Sequence, residues 1–172
     1  MQQLYLTGPH APALARQLFT ALNVRPAGYE LTPFTLGGGI RGEAMHLLTP
    51  PVAPMDNDVP CRIRLRTGDW TIVPRVLDEI AAPTLLQAMT LQRPILICGL
   101  NAQMLTCGAF RKALVQCLES SHPVIVAAAD DAQDMLRALT EESAQLWAPV
   151  PDEAEARSAL LEQLITEAAM RF

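Results

Sequence analysis

Lysine is almost missing from this chain. Of thirteen basic residues in 172, Lys112 is the only lysine, and it lies in the second half. A phosphate-binding loop that depends on lysine needs one a few residues after the first strand, so that device is excluded near the N-terminus. Charge is also sparse, at 18% of residues with a net charge of −5. That balance argues against general binding to nucleic acid or to anionic membranes. No apolar run approaches the ~18 residues of a membrane helix, so no membrane span is expected. The apolar start is short and lacks basic flanks, which argues against a signal peptide and for a cytoplasmic protein. The four cysteines, Cys61, Cys98, Cys107 and Cys117, form no C-x-x-C pair and have no histidine pair beside them. They are expected to be reduced, buried and metal-free. Repeats and low-complexity tracts are absent too.

What is present is apolar and regularly segmented. Half the residues are hydrophobic, and the length suits one domain over residues 1–172 with a sizeable core. Strand and helix signals alternate to the end, which predicts a layered α/β fold with a mainly parallel sheet. Strands are expected at Gln3 to Thr7, Tyr29 to Thr35, Pro94 to Cys98 (PILIC), Pro123 to Ala127 (PVIVA) and Gln145 to Trp147. Glu43 to Thr49 and Cys61 to Arg66 read as a paired antiparallel insertion. The Pro-, Asp- and Asn-rich loop from Pro50 to Pro60 joins them, and it is the segment expected to be disordered. Helices are expected from Val76 to Gln92 with a break near Pro83, from Thr106 to Ser120, and from Asp131 to Leu139. Asp152 and Glu155 suggest a capping box for a last helix through Met170. Cys117 shares a helical face with Phe110 and Leu114, as a core residue would.

The N-terminal segment has the outline of a phosphate loop without its chemistry. Strand, Gly8-Pro9-His10 turn, and a helix with Leu14, Leu18 and Leu22 on one face follow in order. In G-x-x-x-x-G-K-[ST], glycines open the backbone, lysine reaches the terminal phosphates and the hydroxyl holds Mg²⁺. Counted from Gly8, the second glycine is Ala13, the lysine is Leu14 and the hydroxyl residue is Ala15. Pro12 also removes one amide from the cradle. The simplest reading is an ordinary βα turn. A degenerate phosphate loop of Gly8, Pro9, His10 and Ala13 is the functional alternative.

Several segments together carry a likeness to a known family. They are LTGPH, GGGIRGEAMHLL (Gly37 to Leu48), RTGDWTI (Arg66 to Ile72), AAPTLLQAM (Ala81 to Met89), PILICGLNAQMLTCGAFRKAL (Pro94 to Leu114) with SSHPVIVA, and Ala156-Arg157. Their order resembles the P-loop nucleoside-triphosphatase family of thermophiles, which has a human cancer-related relative. The resemblance implies a three-layer P-loop fold. In that family the strand of the fifth segment ends in Asp-Glu-Ile-Gly-Lys-Met-Glu-Leu. Aligned on Leu105 and Phe110, the metal-binding Asp becomes Cys98, and the Glu that polarises water becomes Gly99. The Lys becomes Ala102 and the second Glu Met104. Phosphoryl transfer needs Mg²⁺, a charge clamp and an oriented water. The usual side chains for all three are replaced. Asp78-Glu79-Ile80 repeats the D-E-I letters, but no buried strand precedes it, so Asp78 and Glu79 read as a solvated helix face.

The remaining candidates are arginines, histidines and one thiol. Arg62, Arg64 and Arg66 alternate along a strand, so all three share one face. Such a strip suits an anion or acidic-protein partner, or simply hydration. His10 could contact a phosphate or a metal, though a surface-turn histidine is the simpler reading, and His46 and His122 read as structural. Cys98 stands where α/β sheets place ligand chemistry, though a plain buried cysteine is the simpler reading. The resemblance, with its groups replaced, implies a nucleoside-triphosphatase-like binding, scaffold or regulatory component that does not hydrolyse. No catalytic residue, metal or resident cofactor is expected. Leu14 disfavours Mg-nucleotide, although weak binding of a nucleotide or another phosphate-containing anion is compatible with the loop. A protein partner or homo-oligomer fits the apolar composition. The alternative is a weak nucleoside triphosphatase in which Arg41, Arg64 or Arg157 replaces the cation and Glu43 the acid.

Overall fold

The computed structural model describes residues 3–50, 58–64, 68–140 and 145–169. Eight strands form one sheet: β1 (Gln3–Thr7), β2 (Ala27–Leu36), β3 (Ile40–Leu47), β4 (Asp58–Arg64), β5 (Trp70–Ile72), β6 (Ile95–Leu100), β7 (Val124–Ala128) and β8 (Gln145–Pro149). Their spatial order is β5-β4-β3-β2-β6-β7-β1-β8. From β8 to β2 every neighbouring pair is parallel. From β2 to β5 every pair is antiparallel. β2 is therefore the pivot between a parallel half and an antiparallel meander. The expected antiparallel insertion is this meander, which runs on through β5. The expected disordered loop falls largely on residues 51–57, outside the described residues, as does Arg66.

The strand sequences explain the layers. Side chains alternate across a strand, so a strand covered on both faces must be apolar throughout. In β6, Ile95 and Ile97 enter one core while Leu96 and Cys98 enter the other. One face is covered by α1 (Ala11–Ala21) and α6 (Ala154–Ala169), with Leu14, Leu18, Phe19 and Leu164 packed on Leu6 and Ile125. The other is covered by α3 (Ala82–Ala88), α4 (Gly108–Glu119) and α5 (Gln133–Leu139). There Leu85, Phe110, Leu114, Cys117 and Leu136 pack on Tyr29, Ile97 and Val126. Each such fully buried aliphatic or aromatic side chain contributes roughly 1.5–3 kcal/mol. The fold is the three-layer α/β arrangement expected. Among the described residues no helix is long and apolar enough to cross a membrane.

Two local features differ from the simple reading. The helix expected from Val76 begins at α2 (Pro74–Val76), widens to a π turn over Leu77–Ala81, and then continues as α3. Pro83 lies at the start of α3 and cannot donate to the preceding turn, which is where such widening is tolerated. Asp78 is more than a solvated residue. Its Oδ1 accepts a hydrogen bond from the Phe110 backbone N–H at 3.0 Å, capping the free end of α4 from a neighbouring helix. Glu79 stays exposed and pairs with Arg75 at 2.7 Å.

Candidate functional site

Strands β1, β6 and β7 run in parallel, so their C-terminal ends meet at one edge of the sheet. Open α/β sheets place ligand crevices at that edge. Three turns build the crevice here. After β1 the chain turns through Gly8, at φ 101°, and α1 starts at Ala11. The Ala11 N–H donates to the Gly8 carbonyl at 3.2 Å, and the Leu14 N–H donates to the His10 carbonyl at 3.0 Å. Pro9 and Pro12 have no N–H to offer. The turn is therefore tight, and several of its amides are absent or already bonded.

This geometry places each residue counted from Gly8. Ala13 is not in a loop; it is the third residue of α1 and is exposed. Leu14, in the lysine position, is 2% exposed and belongs to the core beneath the helix. Gly8 and Pro9 do line the crevice. His10 lies 3.6 Å from Asp152, so it ties the turn after β1 to the one after β8.

The end of β6 is equally remodelled. Cys98 is fully buried, with its thiol 4.0 Å from the Pro12 carbonyl. Burial pushes that thiol up to about 12, against a smaller opposite pull from Arg16. Gly99 has φ 96°, and a Cβ built there would lie 2.6 Å from the Leu31 side chain. The register against β7 slips between Cys98 and Leu100, so Gly99 sits in a bulge. Neither residue has a side-chain oxygen to offer a metal.

The crevice encloses about 430 Å³ and holds two polar features. The first is an ion pair, Arg62 Nη1 to Glu43 Oε2 at 3.2 Å. It exists because a bulge between Glu43 and Ala44 places Arg62 directly across from Glu43. Arg62 also stacks on Trp70, 4.5 Å from the ring centre. The second is Asn101, 2% exposed, whose Oδ1 accepts from the Met104 N–H at 3.2 Å while its buried Nδ2 has no partner. Asp130 completes the rim. An unpaired buried amide is costly, so a ligand oxygen would be favoured there.

The other sequence candidates divide cleanly. Arg41, Arg64 and Arg157 do not line the crevice. Arg64 Nε donates to the Gly68 carbonyl at 3.1 Å, and Arg157 donates to the carbonyls of Pro151 and Asp152. The arginine strip is thus not a bare row of charge: Arg62 is paired and Arg64 is bonded locally. His46 pairs with Asp58 at 2.9 Å, and His122 Nε2 lies 3.1 Å from the Leu91 carbonyl, in keeping with structural roles. Asn101 and Asp130 were missed from sequence. Their one signal is position, since each follows the end of a buried central strand. Among the described residues no group of three or more His, Cys, Asp or Glu could hold a metal ion. The Mg²⁺ implied by the resemblance does not fit the residues at the two positions that resemblance assigns to its ligands, since Cys98 is buried and Ala15 is apolar.

Comparison with known proteins supports the architecture. No protein-family model matches the chain, and no curated protein matches it. Among solved structures, the crystal structure of THEP1 from the hyperthermophile Aquifex aeolicus matches 96% of this chain and 98% of its own, at 13% identity and a TM-score of 0.70. The solution structure of a human cancer-related nucleoside triphosphatase matches over 98% and 97%, at 18% identity and a TM-score of 0.61. The fold is P-loop NTPase-like. The crevice beside the turn after β1 carries the Arg62–Glu43 ion pair and the unpaired Asn101 amide.

The buried thiols carry a prediction of their own. Cys61, Cys98 and Cys117 are each pushed up to about 12, in every case chiefly by burial. The unfolded thiols titrate near 9. A raised folded value means the stability these groups contribute is complete below about pH 9 and declines as pH rises toward 12. The urea midpoint is expected to hold steady from pH 7 to 8.5 and to fall above pH 9. At pH 8 iodoacetamide should label Cys98 far more slowly in the folded protein than in urea. Equal labelling rates would refute this account of the thiol.

Proposed function

We propose that this chain is a nucleoside-triphosphatase-like protein that does not hydrolyse nucleotide and serves as a cytoplasmic binding or regulatory component. The observation that carries the reading is the end of β6. Cys98 faces the core, and Gly99 leaves no room for a side chain against Leu31. Catalysis by this fold needs a metal ligand and a water-orienting group at that point. Leu14 supports the same reading from the turn after β1, since its burial removes the charge clamp. The crevice is retained as a shape, with Asn101 and Arg62 as its hydrogen-bonding groups. Such a protein works through a complex, either with a protein partner or with a second copy.

A second reading draws on Glu43 and Arg62, which do line the crevice. In a slow nucleoside triphosphatase, Arg62 would replace the lysine and Glu43 would orient water. Their 3.2 Å pairing opposes this, because Arg62 already neutralises the carboxylate.

Calorimetric titration of the intact chain with ATP, GTP and their diphosphates in Mg²⁺ tests both, with phosphate release followed on the same sample. The expected result is no release above the protein-free rate and no saturable heat up to about 1 mM nucleotide, a limit of roughly 4 kcal/mol in binding. Turnover lost in both Glu43→Gln and Arg62→Ala would replace the first reading with the second.

A further inference from the structure

A second cleft lies at the opposite edge of the sheet, and its chemistry differs from the first. It encloses about 580 Å³ beneath the C-terminal half of α1, a size typical of small-molecule sites. Phe19, Val24, Leu48 and Leu96 give it an apolar lining, and Arg16, Arg25 and Arg93 surround that lining. Among the described residues Glu30 is the only acid in its lining, and Glu30 is bound to Arg16 Nε at 2.5 Å. Arg16 is further held by the Leu31 carbonyl at 3.2 Å. Three arginines against one glutamate leave a local charge of +2 in a chain whose net charge is −5.

The two remaining arginines are set side by side by the fold. Each precedes a proline, in Arg25-Pro26 and Arg93-Pro94, and each Arg-Pro step leads into a central strand. Ala27 of β2 pairs in parallel with Ile95 of β6, so Arg25 and Arg93 occupy equivalent positions two residues upstream. The Ala27 N–H donates to the Pro94 carbonyl at 2.9 Å, extending the strand pairing toward them. Neighbouring strands are roughly 4.8 Å apart. Proline restricts the residue before it to extended backbone, so both positions are preorganised. On the α1 side, Asn23 at φ 52° closes the helix, and the Val24 N–H donates to the Phe19 carbonyl at 3.1 Å, which directs the chain to Arg25.

Like charges held just upstream of two adjacent strands repel unless an anion lies between them. Arg25 and Arg93 are both exposed, and among the described residues neither has a carboxylate within ion-pair distance. We propose that this cleft binds a phosphomonoester carried on an apolar or aromatic body. Its phosphate lies between Arg25 and Arg93, and its body lies on Phe19, Val24, Leu48 and Leu96. A phosphomonoester carries about −1.5 to −2 at pH 7, which matches the two free guanidinium groups. Guanidinium–phosphate contacts are directional and strong, which suits arginine rather than lysine here. The proposal is independent of how the first crevice is used.

Phenyl phosphate and inorganic phosphate are the probes, titrated into the intact protein and followed by amide chemical shifts and calorimetry. Phenyl phosphate is expected to saturate with shifts centred on residues 22–27 and 91–96, and to bind more tightly than inorganic phosphate. In Arg25→Gln/Arg93→Gln its affinity should fall at least about tenfold, the value of one charged hydrogen bond, with the melting temperature unchanged. Arg93→Gln alone, expected to show a smaller loss, serves if the double variant does not fold. The proposal is overturned by no saturation at about 10 mM phenyl phosphate, weaker than any useful site. Unchanged affinity in the variants, or equal binding of the two probes, would overturn it as well.

Discussion

Leu14→Lys is expected to destabilise the protein by about 3 kcal/mol or more without creating a nucleotide site. On paper the substitution restores the defining residue of a phosphate loop. In three dimensions the position is wrong. α1 has begun by Ala11, so residue 14 is its fourth residue, and it points into the core with Leu18, Leu6 and Ala127. At 2% exposure no water reaches the side chain, and no acid belongs to that cluster. A lysine there must either bury a charge or give up its proton, and both are costly. Urea denaturation should show a lower midpoint with an unchanged slope, since the surface exposed on unfolding is nearly the same. Calorimetry with Mg-ATP should remain flat. A variant of unchanged midpoint that bound ATP would show that α1 can shift its start, and the non-hydrolysing reading would lose one of its two supports.

Gly99→Glu is the second large effect, and it attacks the other support. The substitution restores the acid that would orient water, and the expected loss is again about 3 kcal/mol. Two causes add. The backbone at φ 96° is one that side-chain-bearing residues rarely adopt. A Cβ would also stand 2.6–2.9 Å from three atoms of Leu31. Gly99→Ala separates these causes from charge, because it introduces only the Cβ. Most of the loss should already be present in Gly99→Ala. Adding Leu31→Ala to Gly99→Glu should recover most of the steric part, the Leu31 Cβ at 2.9 Å remaining, but not the backbone part, a coupling that a double-mutant cycle measures. No member of the set should release phosphate from ATP. If Gly99→Ala melted like the unaltered protein, the proposed block at the end of β6 would be wrong.

These two variants show why a motif cannot be restored one letter at a time. The side chains of a phosphate loop and of the strand facing it work through backbone geometry. Here that geometry has followed the side chains. Pro9 and Pro12 fit a tight turn, and Leu31 fills the space that Gly99 leaves. The crevice offers Asn101 and Arg62 as its hydrogen-bonding groups.

How much of this was legible from sequence follows the range of the forces involved. PILIC and PVIVA declare themselves as buried strands, because a strand covered on both faces must be apolar at every position. The alternation of strands with amphipathic helices sets the layer type, and the missing lysine is visible without any structure. Those are local properties, set by backbone period and residue chemistry along a short stretch. Asp78 was read as solvated because its partner, the Phe110 N–H, is 32 residues away. Glu43 and Arg62 face each other only because a bulge shifts the register of β3 on β4. Asn101 carries no local signal in the sequence and becomes a buried unpaired donor only in the folded chain. Arg25 and Arg93 are separated by 68 residues, 93 less 25, and become neighbours through the β2–β6 pairing. By itself, then, the sequence determined the elements, their apolar faces and the lack of a lysine near the N-terminus. Tertiary structure alone decided which polar groups meet, because strand pairing joins distant segments through backbone hydrogen bonds whose partners no local pattern encodes.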